Sequence, residues 1–176
     1  IWVGCYGGGL NLIEETQEGD IRFLHSGNKL TGYSKDRFAK VRYIAEANQV
    51  LLVGTTEGLL TFSSEFTQPE QIEFYRNIRI PDKVSSLCSN DVIYIYTDSR
   101  KDTYVLSFTG GLNKILSENL LSNEIEFKTY TTQNGLPSDL VESMIEDNKG
   151  NLWIIAENAL ACFHPDKETF EHYDKK

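Results

Sequence analysis

The chain has 176 residues, of which 40% are hydrophobic and 24% charged, an ordinary composition for a globular domain with a packed core. Its net charge of −9 argues against a nucleic acid, which needs a clustered basic face, and against an anionic membrane surface as partners. Its apolar runs are only a handful of residues long, too short to span a bilayer.

The chain starts without Met and inside a strand-like run, and it therefore reads as an excised piece of something longer. That run, "IWVGCYGGGLNLI" at residues 1–13, is an apolar strand pattern broken by three glycines and then resumed. A phosphate-binding loop would end in Gly-Lys-Ser/Thr and open a helix, and neither feature follows Gly7, Gly8 and Gly9. A tight hairpin is the better reading. The pattern returns as "LLVGTTEGLLTF" at residues 51–62 and as "TYVLSFTGGLNKI" at residues 103–115. "LWIIAENALACF" at residues 152–163 is a fourth copy, with Ala159 in place of the glycine. With Trp2, Leu52, Tyr104 and Trp153 taken as equivalent, the intervals are 50, 52 and 49 residues. Internal self-similarity at such a period is the mark of a repeat architecture.

Further landmarks travel with these hairpins. An apolar alternation precedes the second, third and fourth: "VRYIAE", "VIYIYTD" and "VESMIED". Each ends in an acid six residues before the equivalent position, Glu46, Asp98 and Asp147, which predicts a shared turn role. An aromatic-rich run follows every hairpin: "IRFLH", "IEFYRN", "IEFKTY" and "TFEHYD". "EDNKGNLW" is itself a hairpin signal, with Asp147 and Asn148 at the turn and Gly150 free to take positive φ. Each unit thus reads as four short antiparallel strands, which is the composition of a β-propeller blade.

The predicted fold is therefore all-β, a β-propeller of about 3.75 four-stranded blades belonging to a larger, seven-bladed ring. Residues 1–37 form a partial blade of three strands, and residues 38–82, 83–133 and 134–176 form one blade each. An open arc leaves raw sheet edges and uncovered blade faces. Either self-association of the chain or membership of a larger ring is expected to cover them.

At this point the residues resemble a known family. "NGLPSDLVESMIEDNKGNLWIIAENALACFHPDKETFEHYD" at residues 134–174 is similar to the propeller repeat of bacterial hybrid two-component sensors, which runs Gly-Leu-Pro-Ser, an apolar strand ending in Asp, then Gly-x-Leu-Trp-Ile-Gly-Thr and Gly-Leu. "IWVGCYGGGLNLI" looks like the matching part of another blade. The chain departs from the pattern where Ile155-Ala156 replaces Gly-Thr, where Ala159 replaces Gly, and where Lys101 stands at a turn position usually held by Gly. The resemblance implies a periplasmic sensor region in a parent anchored in the inner membrane. It also implies a β-sandwich, a transmembrane helix, a histidine kinase and often a response regulator beyond the propellers. Many such sensors, frequent in gut Bacteroidetes, respond to oligosaccharides. A dimeric receptor follows from the same resemblance.

The residues themselves offer little chemistry. Cys5, Cys88 and Cys162 are far apart and lie among apolar or small neighbours, so free buried thiols are expected. His25, His164 and His172 match no zinc spacing, and "DNKGN" lacks the alternating oxygen ligands of a calcium loop. No Gly-x-Ser-x-Gly elbow occurs. Neither a metal, nor a cofactor, nor a catalytic residue is expected. The candidate ligand surface is the set of loops joining second to third strands, with Tyr6, Thr56, Glu57, Phe108, Glu157 and Asn158, where aromatic rings beside amides and carboxylates suit a sugar. The competing reading packs Tyr6 and Phe108 between blades. The functional expectation is a non-catalytic fragment of a sensor that binds or relays a carbohydrate-type signal. A protein-interaction scaffold and a polysaccharide lyase or hydrolase are the alternatives.

Overall fold

The structure, a computed structural model, describes residues 1–174; residues 175 and 176 of the fourth expected unit lie outside the described residues. Strands β1 (Trp2–Cys5), β2 (Gly9–Glu15) and β3 (Ile21–Leu24) form a three-stranded sheet. A second sheet holds β4 (Val41–Ala47), β5 (Val50–Thr55), β6 (Gly58–Ser63) and β7 (Tyr75–Asn77). The third comprises β8 (Val92–Thr97), β9 (Thr103–Ser107), β10 (Gly111–Ile115) and β11 (Phe127–Tyr130). The fourth comprises β12 (Val141–Glu146), β13 (Leu152–Ala156), β14 (Ala159–His164) and β15 (Thr169–Asp174). Every sheet is an antiparallel meander in chain order, as hairpin-connected strands demand.

The sheets pack face against face, and each seam has its own core. Leu10, Val41, Val53, Leu60 and Phe62, with Trp2 against them, fill the seam between the first two sheets. Leu52, Leu59, Val92, Val105 and Phe127 fill the next. Tyr104, Leu106, Met144, Ile154 and Phe163 fill the last. Central strands bury both of their faces, which is why β5 and β9 are buried along their whole length. Leu87 and Leu136, which precede β8 and β12 by the same interval, close the ends of their two seams.

The turns show how far local residue choice sets the hairpins. In the hairpin between β9 and β10, Gly111 sits at φ 72°, and a Cβ there would lie 2.4 Å from the carbonyl oxygen of Tyr130. The fourth sheet has Ala159 at the corresponding position and places Asn158 at φ 61° instead. Asparagine tolerates the left-handed region better than most side chains, so the hairpin survives the loss of its glycine. Lys101 likewise stands at φ 73°, where its equivalent Gly150 has φ 78°.

The recurring acids do not behave alike. Asp98 and Asp147 cap five-residue turns through one carboxylate oxygen: Asp98 Oδ1 accepts from the backbone N–H of Arg100 and Asp102, and Asp147 Oδ1 from Lys149 and Asn151. Glu46 corrects the expectation of a shared turn role. The hairpin between β4 and β5 closes on only Asn48 and Gln49, both at positive φ, so Glu46 remains on its strand and is exposed. The tighter turn needs no carboxylate cap.

The two capping acids also diverge from each other. Asp147 Oδ2 accepts from the Trp153 indole and the Asn151 side chain, each at 3.0 Å. Those donors, the indole first, hold its carboxyl well below the usual carboxylate range. In the third sheet Tyr104 and Asp102 occupy the corresponding positions and donate nothing to Asp98 Oδ2, which is buried without a hydrogen-bond partner. The Arg100 guanidinium stays 3.9 Å away. Burial, with Asp102's charge in support, pushes the Asp98 carboxyl up.

The cysteines are free, as expected, but only Cys162 is buried; Cys5, the last residue of β1, and Cys88, in the segment between β7 and β8, are half-buried.

Two pairs of substitutions test this account. Lys101→Gly removes a left-handed side chain and is expected to stabilise the chain by roughly 0.5–1 kcal/mol in urea unfolding, whereas Gly111→Ala costs at least about 1–2 kcal/mol. Asp147 has a depressed folded pKa, so its contribution is present above the unfolded value near ~3.9 and fades as pH falls. Asp147→Asn therefore lowers stability at pH ~7 and flattens the acid limb of the stability profile. Asp98 has the opposite sign: wild-type stability is lost as pH rises through its raised pKa. Asp98→Asn should raise the urea midpoint at neutral pH and leave it nearly unchanged in acid.

Candidate functional site

The loops singled out in the sequence do join second to third strands, and they lie at one end of the arc. Tyr6, Thr56, Phe108 and Glu157 occupy one register position, the first residue beyond β1, β5, β9 and β13. Glu57 and Asn158 follow in the two-residue loops, while the first and third sheets have three-residue loops. The competing reading for the aromatics does not hold. Tyr6 is 63% exposed and Phe108 49% exposed, so neither ring is packed between blades.

Backbone hydrogen bonds tie this end together. The N–H groups of Gly7 and Gly9 donate to the carbonyl of Ala39, that of Gly58 to Asn90, and that of Gly111 to Asp139. Each acceptor lies just before the first strand of the following sheet. The next carbonyl along, at Lys40, Asp91 and Leu140, accepts from Thr56, Phe108 and Glu157 of that following sheet. Hairpin and lead-in segment thus alternate along the rim, and the candidate residues are held by their own main chain.

Side chains add a charged layer. A β-bulge recurs in the first strand of each complete sheet, between Val41 and Tyr43, Val92 and Tyr94, and Val141 and Ser143. The bulged residue of β4 is Arg42, and bulges re-aim side chains. Its guanidinium lies 5.4 Å from the Tyr6 ring centroid, with Lys40 Nζ at 5.5 Å from the same ring. Arg42 also holds Asp91 in a bidentate pair, with N···O distances of 2.6 and 2.8 Å. Tyr6, Arg42, Asp91 and Phe108 therefore form a connected row across three sheets. Glu57 is engaged from its own sheet, since Arg76 donates to its carbonyl oxygen at 3.0 and 3.1 Å. Glu157 and Asn158 stand apart from this charged row.

Sequence reasoning missed Lys40, Arg42 and Asp91. One signal was present: Arg42 and Asp91 are opposite charges separated by 49 residues, one repeat length. The six candidates form a rim. A cleft of about 420 Å³ lies at the opposite end, where Phe66, Gln68, Gln71, Ile72 and Tyr75 of the segment between β6 and β7 face Leu121.

Sheets that meander outward and stack face to face in sequence define a β-propeller, here an open arc. Residues 135–158, covering β12, β13 and the hairpin beyond, match the family described as Two component regulator propeller. The resemblance drawn from "GLPSDLVESMIEDNKGNLW" is thereby borne out. Among solved structures, the extracellular domain of a B. thetaiotaomicron protein described as a hybrid two component system is similar, with a TM-score of 0.68 and 20% identity over 97% of this chain and 23% of that one. A catalytically inactive virginiamycin B lyase from Staphylococcus aureus has a TM-score of 0.58 at 12% identity, over 96% of this chain and 49% of the other. PorZ, described as a surface component of the type-IX secretion system of Porphyromonas gingivalis, reaches 0.60 at 16% identity over 86% of this chain and 22% of its own. No curated protein sequence matches. A lyase and the extracellular domain of a two component system share this architecture, so the fold alone assigns no activity.

The Arg42–Asp91 pair should be measurable as a coupling. Arg42→Ala is expected to cost about 1 kcal/mol, because both groups are partly shielded and the geometry is bidentate. A double-mutant cycle with Asp91→Ala, read by urea unfolding, should give an interaction energy of about 0.5–1 kcal/mol.

Proposed function

We propose that this chain is part of the extracytoplasmic, periplasmic sensor region of a hybrid two-component regulator, and that it binds or relays a carbohydrate-type signal without chemistry of its own. The observation that carries the reading is the two-component regulator propeller match at residues 135–158. The likeness to an extracellular domain agrees with it, and the chain spans 23% of that domain's length. The parent is then a membrane-anchored, dimeric histidine kinase, and the propeller acts through rigid-body contacts.

The proposed ligand surface is the hairpin rim. Tyr6 and Phe108 present exposed rings for the apolar C–H face of a pyranose, and Thr56, Glu57, Glu157 and Asn158 supply hydroxyl, carboxylate and amide partners for its ring hydroxyls. Recognition on this surface would rest on hydrogen bonds and ring stacking.

A thermal-shift assay against a panel of oligosaccharides tests this. A cognate glycan at about a hundred times its Kd should add roughly 2.7 kcal/mol and raise the melting temperature by several degrees. Combined Tyr6→Ala and Phe108→Ala substitution should abolish that shift while leaving the unliganded melting temperature within about a degree or two, since both rings are exposed. A panel without any shift favours the scaffold reading. Release of reducing ends from a polysaccharide would establish the lyase or hydrolase alternative instead.

A further inference from the structure

The chain is acidic as a whole, yet its cations are not spread evenly. Residues 35–42 hold Lys35, Arg37, Lys40 and Arg42 against one acid, Asp36, and residues 76–83 hold Arg76, Arg79 and Lys83 against Asp82. Both segments reach the hairpin end of the second sheet. At its β4 edge, the Lys40 carbonyl accepts from the Thr56 N–H, and Arg42 is the bulged residue. At its β7 edge, Arg76 donates to the Glu57 carbonyl. The Arg79 N–H is held by Asn90 Oδ1, and the Asn90 carbonyl accepts from Gly58. The two-residue loop Thr56–Glu57 is thereby bracketed by cations from both edges of its sheet.

The repeat does not require these charges. At the places of Lys40, Arg42 and Arg76 the third sheet has Asp91, Ile93 and Thr129, and the fourth has Leu140, Glu142 and His172. Neither sheet puts a lysine or arginine there, and both close the same hairpin. The second sheet is complete and packed on both faces, so its hairpin end is not an edge of the arc. Two carboxylates answer five cations: Asp91 pairs with Arg42, and the Glu57 carboxylate lies 3.8 Å from Arg76. Arg37, Lys40 and Arg79 make no ion pair among the described residues. Burial, and then the Arg37 charge, hold the Arg76 guanidinium below its usual range. The cleft at the opposite end is the reverse, since its lining includes Glu65 and Glu73 and, among the described residues, no lysine or arginine.

We propose that the hairpin end of the second sheet is an anion subsite, and that the saccharide received by the rim is acidic, its carboxylate or sulfate group held by Lys40 and Arg42 with Arg37 and Arg76 beside them. The inference rests on the carbohydrate reading of the rim and narrows it. Guanidinium donors match the planar carboxylate and the sulfate oxygens alike, and the lysine adds a mobile point charge. Asp91 takes Nε and Nη2 of Arg42, which fixes that guanidinium and leaves Nη1 for a ligand. The Tyr6 ring, with both Lys40 and Arg42 within 5.5 Å of its centroid, offers a sugar face next to the charge. Glu57 is the one carboxylate within the hairpin itself, and it opposes an incoming anion.

Calorimetric titration of the longer protein that contains this chain tests it. The probes are galacturonate, glucuronate-containing and sulfated tetrasaccharides, each beside its carboxyl-reduced or desulfated form. At least one acidic probe is expected to bind about tenfold tighter than its neutral form, with the advantage shrinking as ionic strength rises. Lys40→Gln combined with Arg37→Gln should weaken the acidic probe about tenfold and the neutral form far less. Its melting curve should stay unaltered, because neither side chain is paired. Glu57→Gln should strengthen the acidic probe about two- to threefold, a gain that a merely structural role would not produce. Acidic and neutral probes bound equally would overturn the anion subsite and leave the carbohydrate reading standing. Binding of neither kind would overturn both. An acidic probe that binds tightly yet ignores the Lys40, Arg37 and Glu57 substitutions would overturn the placement at this sheet.

Discussion

A small sheet that is apolar on both faces cannot stand in water by itself, and every other feature of this chain follows from the need to cover it. Each sheet buries one face against its predecessor and the other against its successor, so the unit of stability is the seam. Three seams, each with about ten buried apolar side chains, are the cores of the molecule. Burial at roughly 25 cal/mol per Å² of apolar surface is the driving force, and it acts only when neighbouring sheets stack in register. The nearest-neighbour character of the contacts is that of a repeat protein.

Close stacking in turn disciplines the backbone at the rim. A hairpin that must present its N–H groups to the lead-in segment of the next sheet leaves no room for a Cβ at Gly111, and it drives the residues around it into the left-handed region. The fourth sheet meets the same demand with Asn158 in place of a glycine. The candidate ligand surface is a by-product of this arrangement. Because Tyr6, Thr56, Phe108 and Glu157 share one register position, whatever side chain the sequence puts there is displayed once per sheet along one end. Such a rim can vary in chemistry without disturbing the seams.

The polar contacts between sheets follow the repeat as well. Arg42 reaches Asp91, Ser99 reaches Glu146, Arg100 reaches the Gly150 carbonyl, and Asn77 bridges to Ser122 and Ile125, each across about one repeat length. Neighbouring blades thus specify each other through side chains as well as through apolar shape. Asp98 shows the cost of drift between copies. Its turn is the same as that of Asp147, but Tyr104 and Asp102 stand where Trp153 and Asn151 donate, and a buried carboxylate oxygen is left alone.

The sequence by itself determined the strands, the hairpins and the repeat. Those depend on period-two alternation, on glycine and asparagine at left-handed turns and on self-similarity, all of which are local or translationally repeated. It also marked Tyr6, Thr56, Glu57, Phe108, Glu157 and Asn158 as hairpin residues. Only the tertiary structure decided that Glu46 stays on its strand, because the β4–β5 hairpin closes on two residues where its equivalents use five, and β4 runs on past Glu46. Only it decided that Arg42 is the bulged residue reaching both Tyr6 and Asp91, since a bulge shows up in the pairing of two strands and not in either one. Exposure of Tyr6 and Phe108 on the hairpin rim, and burial of Phe127 in a seam, were likewise set by how the sheets stack. Local pattern fixes which side chains share a face; only stacking determines whether that face meets another sheet or water.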